Sequence, residues 1–194
     1  MKTKLTFLLS LTFLFLFSGS VYGNDFQDGL EALIRNDYKE AVRLWKPLAE
    51  QGDARAQFSL GYMYSNGQGV PQDYKEAVRL YRLSAEQGNA YAQNSMGNMY
   101  VKGQGVPQDY KQAIKWYRLS ADKGFALAQN NLARMYYLGL GVPQDYVLAH
   151  MWVNLAASNG DEDAMKKRTM VEKAMSPSQI EKAQEMARNW KPKK

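Results

Sequence analysis

The chain has 194 residues, a formal net charge of +6, one histidine and no cysteine. Without cysteine it forms no disulfide and offers no thiol for acylation, and with a single histidine it cannot assemble the nitrogen and sulfur donor sets of common metal centres. The basic excess is thin and sits mainly at the two ends, which is not the clustered footprint of a nucleic-acid binder, so no nucleic-acid partner is expected.

Residues 1–23 read as an export signal. Lys2 and Lys4 precede an apolar run from Leu5 to Phe17, and Val21-Tyr22-Gly23 supplies small residues at the cleavage-reading positions. The run covers 13 residues, short of the ~20 needed to span a bilayer. The expectation is a soluble mature chain, periplasmic or secreted, with no stable membrane anchor.

Residues 24–161 repeat themselves every 36 positions. Val-Pro-Gln-Asp-Tyr begins at Val70, Val106 and Val142, and Gly52, Gly88, Gly124 and Gly160 keep the same step. A fixed period of this size marks an array of stacked units. The units are taken as a partial repeat at 26–53 and full repeats at 54–89, 90–125 and 126–161. In each, a first helix carries an apolar stripe at i, i+4 and i+8: Ala56, Leu60 and Tyr64, then Ala92, Met96 and Tyr100, then Ala128, Leu132 and Tyr136. Gly61, Gly97 and Ala133 sit beside these stripes, where a small side chain lets a neighbouring helix approach. Gly67, Gly103 and Gly139 are placed to end the first helix. The Gly67-Gln68-Gly69 and Gly103-Gln104-Gly105 loops follow helices and lack a Gly-Lys-Ser/Thr continuation, so they are turns and not phosphate cradles.

The second helix of each unit begins at an aspartate N-cap: Asp37, Asp73, Asp109 and Asp145. Glu40, Glu76 and Gln112 follow three residues later and are expected to complete capping boxes. Pro47 is expected to kink the first of these helices. Beyond residue 161 the pattern changes. One helix is read over 161–175 and another from Ser176-Pro177, whose Ile180, Ala183, Ala187 and Trp190 would close the array; Phe26, Leu30 and Leu33 would close the other end. The Lys191-Pro192-Lys193-Lys194 tail reads as a solvated, frayed end.

The pattern A-x-A-Q-x-x-L-G-x-M-Y at 54–64, followed by G-Q-G-V-P-Q-D-Y-K-E-A-V-R-L-Y at 67–81, resembles the Sel-1-like repeat family, a relative of the tetratricopeptide repeats. The resemblance implies an all-α fold, a right-handed α-solenoid of stacked antiparallel helix pairs, with no shared catalytic residues and no cofactor. It also implies an adaptor that binds a protein or peptide partner, along a concave face lined by the first helix of each pair. Counted outward from Gly61, Gly97 and Ala133, that face is expected to present Arg55, Phe58, Tyr62, Tyr91, Asn94, Asn98, Asn130, Arg134 and Tyr137. Tyrosine and arginine are frequent energetic anchors at interfaces. Tyrosines beside asparagines also suit stacking on sugar rings, which makes a cell-wall glycan the alternative partner. Some cysteine-rich secreted relatives are linked with penicillin binding; this chain lacks those cysteines, and a cell-wall or β-lactam hydrolase is the least favoured reading. His150 replaces Val78 and Ile114 in register, so a structural, packed histidine is expected there and not a catalytic base.

Overall fold

The structure is a computed structural model that describes residues 26–158 and 162–193; the segment read as an export signal, and Gly160, lie outside the described residues. Those described fold into helices and contain no strand. Helix α1 covers 26–34. It is followed by α2 (Tyr38–Glu50), α3 (Ala54–Asn66), α4 (Tyr74–Glu86), α5 (Ala90–Lys102) and α6 (Tyr110–Asp122). Then come α7 (Ala126–Leu138), α8 (Tyr146–Ser158), α9 (Glu162–Glu172) and α10 (Pro177–Asn189). Packing is most extensive within α3–α4, α5–α6 and α7–α8, next most between consecutive pairs, and α9 and α10 both lie on α8. The fold is an all-α solenoid in which each pair touches mainly its sequence neighbours.

Every recurrent residue of the period has a mechanical role. Gly67 ends α3 at φ +66°, and the Gln72 amide then donates to the Ser65 carbonyl at 2.8 Å, covering an orphaned helix-end acceptor. Gln108 and Gln144 do the same for Val101 and Tyr137, each at 2.7 Å. Asp73 serves both helices: its backbone amide donates to the Tyr64 carbonyl at 3.0 Å, and its carboxylate accepts from the Lys75 and Glu76 amides. The second loop glycine, Gly69, has φ +72°, and a Cβ there would fall onto the backbone of Tyr38 at the start of α2. Gly105 meets Tyr74 and Gly141 meets Tyr110 in the same way. The Gly-x-Gly turn is thus a stacking contact as well as a turn, and only glycine provides both the positive φ and the clearance.

Two further bonds recur along the stack, a glutamine bond from unit to unit and a serine bond between the two helices of one unit. Gln57 and Gln93 are buried, and their side-chain amides each donate at 3.1 Å to the last-turn carbonyls of Ala49 and Ala85 in the preceding helix. Gln129 repeats this towards Ala121 at 3.3 Å. Ser84 and Ser120, both fully buried, donate to the Ala54 and Ala90 carbonyls at 2.6 and 2.7 Å. Each such bond is worth about 1 kcal/mol, and leaving its buried partner unmatched costs more.

Several expectations change. Asp37 and Asp73 do cap their helices, but Glu40 and Glu76 bind Arg43 and Arg79 with two bonds each, and neither turns back to close a box. An arginine one turn along offers two charged donors, which outcompete a single amide. Among the described residues a capping box forms in α10, where Ser176 accepts from the Gln179 amide and Gln179 accepts from that of Ser176. Helix α2 runs through Pro47 to Glu50. The register also continues past the last full unit, because Ala164 of α9 is fully buried at the position held by Ala56, Ala92 and Ala128. The closing pair is therefore a shortened further unit. Its Trp190 meets Trp152 edge-on at 6.2 Å between ring centroids. The tail is docked and not frayed: the Lys193 ammonium pairs with Asp122 at 2.6 Å and its amide donates to the Asp122 carbonyl at 2.7 Å.

Candidate partner-binding face

Helices α3, α5 and α7 occupy equivalent places in the stack, so residues 36 apart line up across units. The nine expected face residues separate by environment. Tyr62 and Tyr91 are 46% and 58% exposed. Arg134 is exposed and makes no ion pair among the described residues. Arg55 is exposed too, but its guanidinium binds Asp53 at 2.8 Å and covers the Phe26 ring at 4.5 Å. The hydrogen bond from Arg55, helped by two backbone amides, holds the Asp53 carboxyl below the ordinary range. Phe58 is half-buried between Tyr81 and Tyr91, and Tyr91 lies 4.6 Å from Phe125, so an aromatic row crosses two units.

The asparagines are largely committed to the fold. Asn94 and Asn130 are only 8% and 7% exposed. Asn94 accepts from Asn131 at 2.9 Å and Asn130 from Lys167 at 3.1 Å, each bond linking one unit to the next. Asn98 accepts from the Tyr117 hydroxyl at 2.7 Å. Burial pushes the hydroxyls of Tyr81 and Tyr117 above the usual tyrosine range, so both remain protonated donors. Tyr137 is half-buried, its ring 5.5 Å from Tyr146.

Two hollows lie along this side. One, of about 340 Å³, lies between α3 and α5 and is polar, lined by Tyr62, Ser65, Asn66, Ser95, Asn98 and Lys102 among others. The other, of about 200 Å³, lies between α7 and α9 with an almost wholly apolar wall and Arg134 and Lys167 at its rim. Leu127 and Leu138, 55% and 47% exposed, extend the apolar end. The sequence reading missed both, although Leu127 occupies the register position of Arg55 and Tyr91. Lys167 and Met170 come from α9, which no repeat count assigned to the face.

A family model for the Sel1 repeat matches residues 23–53, 54–89, 90–125 and 126–161. The chain belongs to the Sel1 repeat family. Among solved structures, a protective antigen present in uropathogenic Escherichia coli strains, described as displaying an SLR fold, is 34% identical. It aligns with a TM-score of 0.74 over 78% of this chain and 32% of that one. A Sel1 repeat protein from Oxalobacter formigenes is 31% identical, with a TM-score of 0.70 over 75% of this chain and 60% of that one. The chain thus spans about a third of the first relative and 60% of the second. A search among curated proteins returned no match. Sel1 repeat proteins generally act as scaffolds for protein–protein interaction and are typically not enzymes.

Within the Sel1 array, His150 is fully buried on α8 with its Nε2 2.9 Å from a Glu172 carboxylate oxygen on α9. It fastens the closing pair to the last full unit. No group of three or more potential metal-binding side chains occurs among the described residues, and none of the described helices is long and apolar enough to cross a membrane.

Proposed function

We propose that this Sel1 repeat protein is an exported scaffold that holds an extended segment of a partner protein along the side formed by α3, α5 and α7. The observation that carries the reading is the division of labour on those helices. Asn94, Asn98 and Asn130 are bound to neighbours, whereas Tyr62, Leu127 and Arg134 stand exposed, Tyr62 and Arg134 each lining a hollow. Large exposed side chains with no internal task are what an interface recruits as anchors. Export is proposed from the basic and apolar character of residues 1–23.

Site-specific photocrosslinking in cells tests the binding face. A crosslinker at Tyr62 or Arg134 should give a discrete protein adduct, and one at Lys115, exposed on the second helix α6, should not. Adducts from Lys115 alone would place the partner elsewhere and end the reading. The mass of protein recovered from the cell envelope tests export: loss of residues 1–23 is expected, and an intact Met1 in the cytoplasm would refute it.

A further inference from the structure

In three of the four repeats an aromatic ring lies across a glycine of the facing helix: Trp45 over Gly29, Tyr81 over Gly61 and Tyr117 over Gly97. Each ring lies within its own unit, the Tyr81 hydroxyl bonded to Ser65 and that of Tyr117 to Asn98. In the last repeat Val153 stands at the ring position and Ala133 at the glycine position. A hollow of about 200 Å³ lies there, walled by Ala133, Val153, Val171, Tyr137 and Met170. The register-equivalent hollow between α3 and α5, which Tyr81 lines, is polar, whereas this one has an almost wholly apolar wall. At the rim, Arg134 has no acidic partner among the described residues, and Lys167 is paired with Asp163.

We propose that this hollow is a socket for one aromatic side chain of an acidic partner segment, with Arg134 facing a carboxylate beside the inserted ring. The proposal rests on the partner-binding reading of this face and names the partner's chemistry. Three features support it: the apolar wall, the size of the hollow and the unmatched cation at the mouth. An apolar wall rewards a ring by about 2 kcal/mol of transfer, or about thirtyfold in affinity, while a partly exposed charge contributes less.

The test uses the peptide acetyl-Glu-Glu-Phe-Glu-Glu-amide as probe, titrated into the chain with methyl NMR detection at Met170, Val171, Leu138 and Met99. Shifts at Met170 and Val171 are expected, with affinity at least tenfold weaker when alanine replaces the phenylalanine. Binding should also fall when lysines replace the glutamates and in Arg134→Gln. The double variant Ala133→Gly with Val153→Tyr transplants the arrangement of Gly97 and Tyr117, puts a polar hydroxyl and a ring into the apolar wall, and should lower affinity at least tenfold while the helical signal and melting temperature hold. If that variant fails to fold, the comparison of the phenylalanine and alanine peptides on the unaltered chain decides. Equal binding of those two peptides, or no shift at Met170 and Val171, overturns the socket. A shift confined to Met99, in the polar hollow, overturns the socket but leaves the face reading standing, and that reading fails separately if the crosslinks form from Lys115.

Discussion

Substituting Gly61 by alanine isolates the contact on which each helix pair closes. A Cβ at Gly61 would lie 2.8 Å from Tyr81 Cδ1 and 2.9 Å from Cε1, so the ring must shift. Tyr81 is only 3% exposed, packs on Phe58 and is tethered through its hydroxyl to Ser65, so it has little room to give. Forcing extra volume into such a site costs about 1–3 kcal/mol, and alanine's better helix propensity returns about 1 kcal/mol. The single variant should therefore lose about 0–2 kcal/mol. Tyr81→Val alone should lose about 2–4 kcal/mol through the space it leaves. In the Tyr81→Val background the obstruction is gone and Gly61→Ala should stabilise by about 1 kcal/mol, as the natural Ala133 and Val153 pair implies. The coupling between the two changes equals the overpacking cost, about 1–3 kcal/mol. Urea unfolding of the four chains, followed by circular dichroism and tryptophan fluorescence with coincident transitions, measures it. A coupling below about 0.5 kcal/mol would refute the claim that the glycine exists to seat the ring.

Gly105→Ala should destabilise by about 2–4 kcal/mol, because it combines a positive φ with a Cβ against the Tyr74 backbone; Gly124→Ala, with the same φ problem but only Trp190 at 3.9 Å, should lose about 1–2 kcal/mol, and thermal melts rank the two. Ser120→Ala should lose about 1 kcal/mol with the bond it makes to the Ala90 carbonyl, measured by the same urea titration. Asp53 has its pKa lowered by Arg55, so its contribution to stability is complete above the ordinary value of 3.8 and disappears as pH falls through the lower folded value. Asp53→Asn should accordingly flatten the acid limb of a stability–pH curve below about pH 4, by less than 1 kcal/mol because solvent screens the pair, and leave the curve's slope near neutrality unchanged.

The period itself told most of the fold. Apolar spacing within each unit gave the helices, Asp37, Asp73, Asp109 and Asp145 gave their starts, and the loop glycines gave their ends, because all of these are local backbone chemistry written within a few residues. The partial first unit was harder to align for a physical reason: Trp45 follows Gly29 by 16 positions, whereas Tyr81 follows Gly61 by 20, so a shorter turn hides the same ring-on-glycine contact. The capping boxes failed because a sequence rule for Glu40 and Glu76 does not weigh the arginine one turn further on.

The candidate face was legible only in outline. Register picked out Tyr62, Tyr91 and Arg134, which are exposed, but it does not distinguish an exposed asparagine from one whose bond partner is a unit away. The commitments of Asn94 to Asn131 and of Asn130 to Lys167 span 37 positions each and exist only once the units are stacked. The docking of Lys193 on Asp122, 71 positions apart, is of the same kind. By itself the sequence determined the array, its helices and its turns, since repetition turns local signals into a global architecture. Tertiary structure alone decided which side chains remain unspent and where the hollow of the last repeat opens, because both depend on volumes and hydrogen-bond partners brought together from different units.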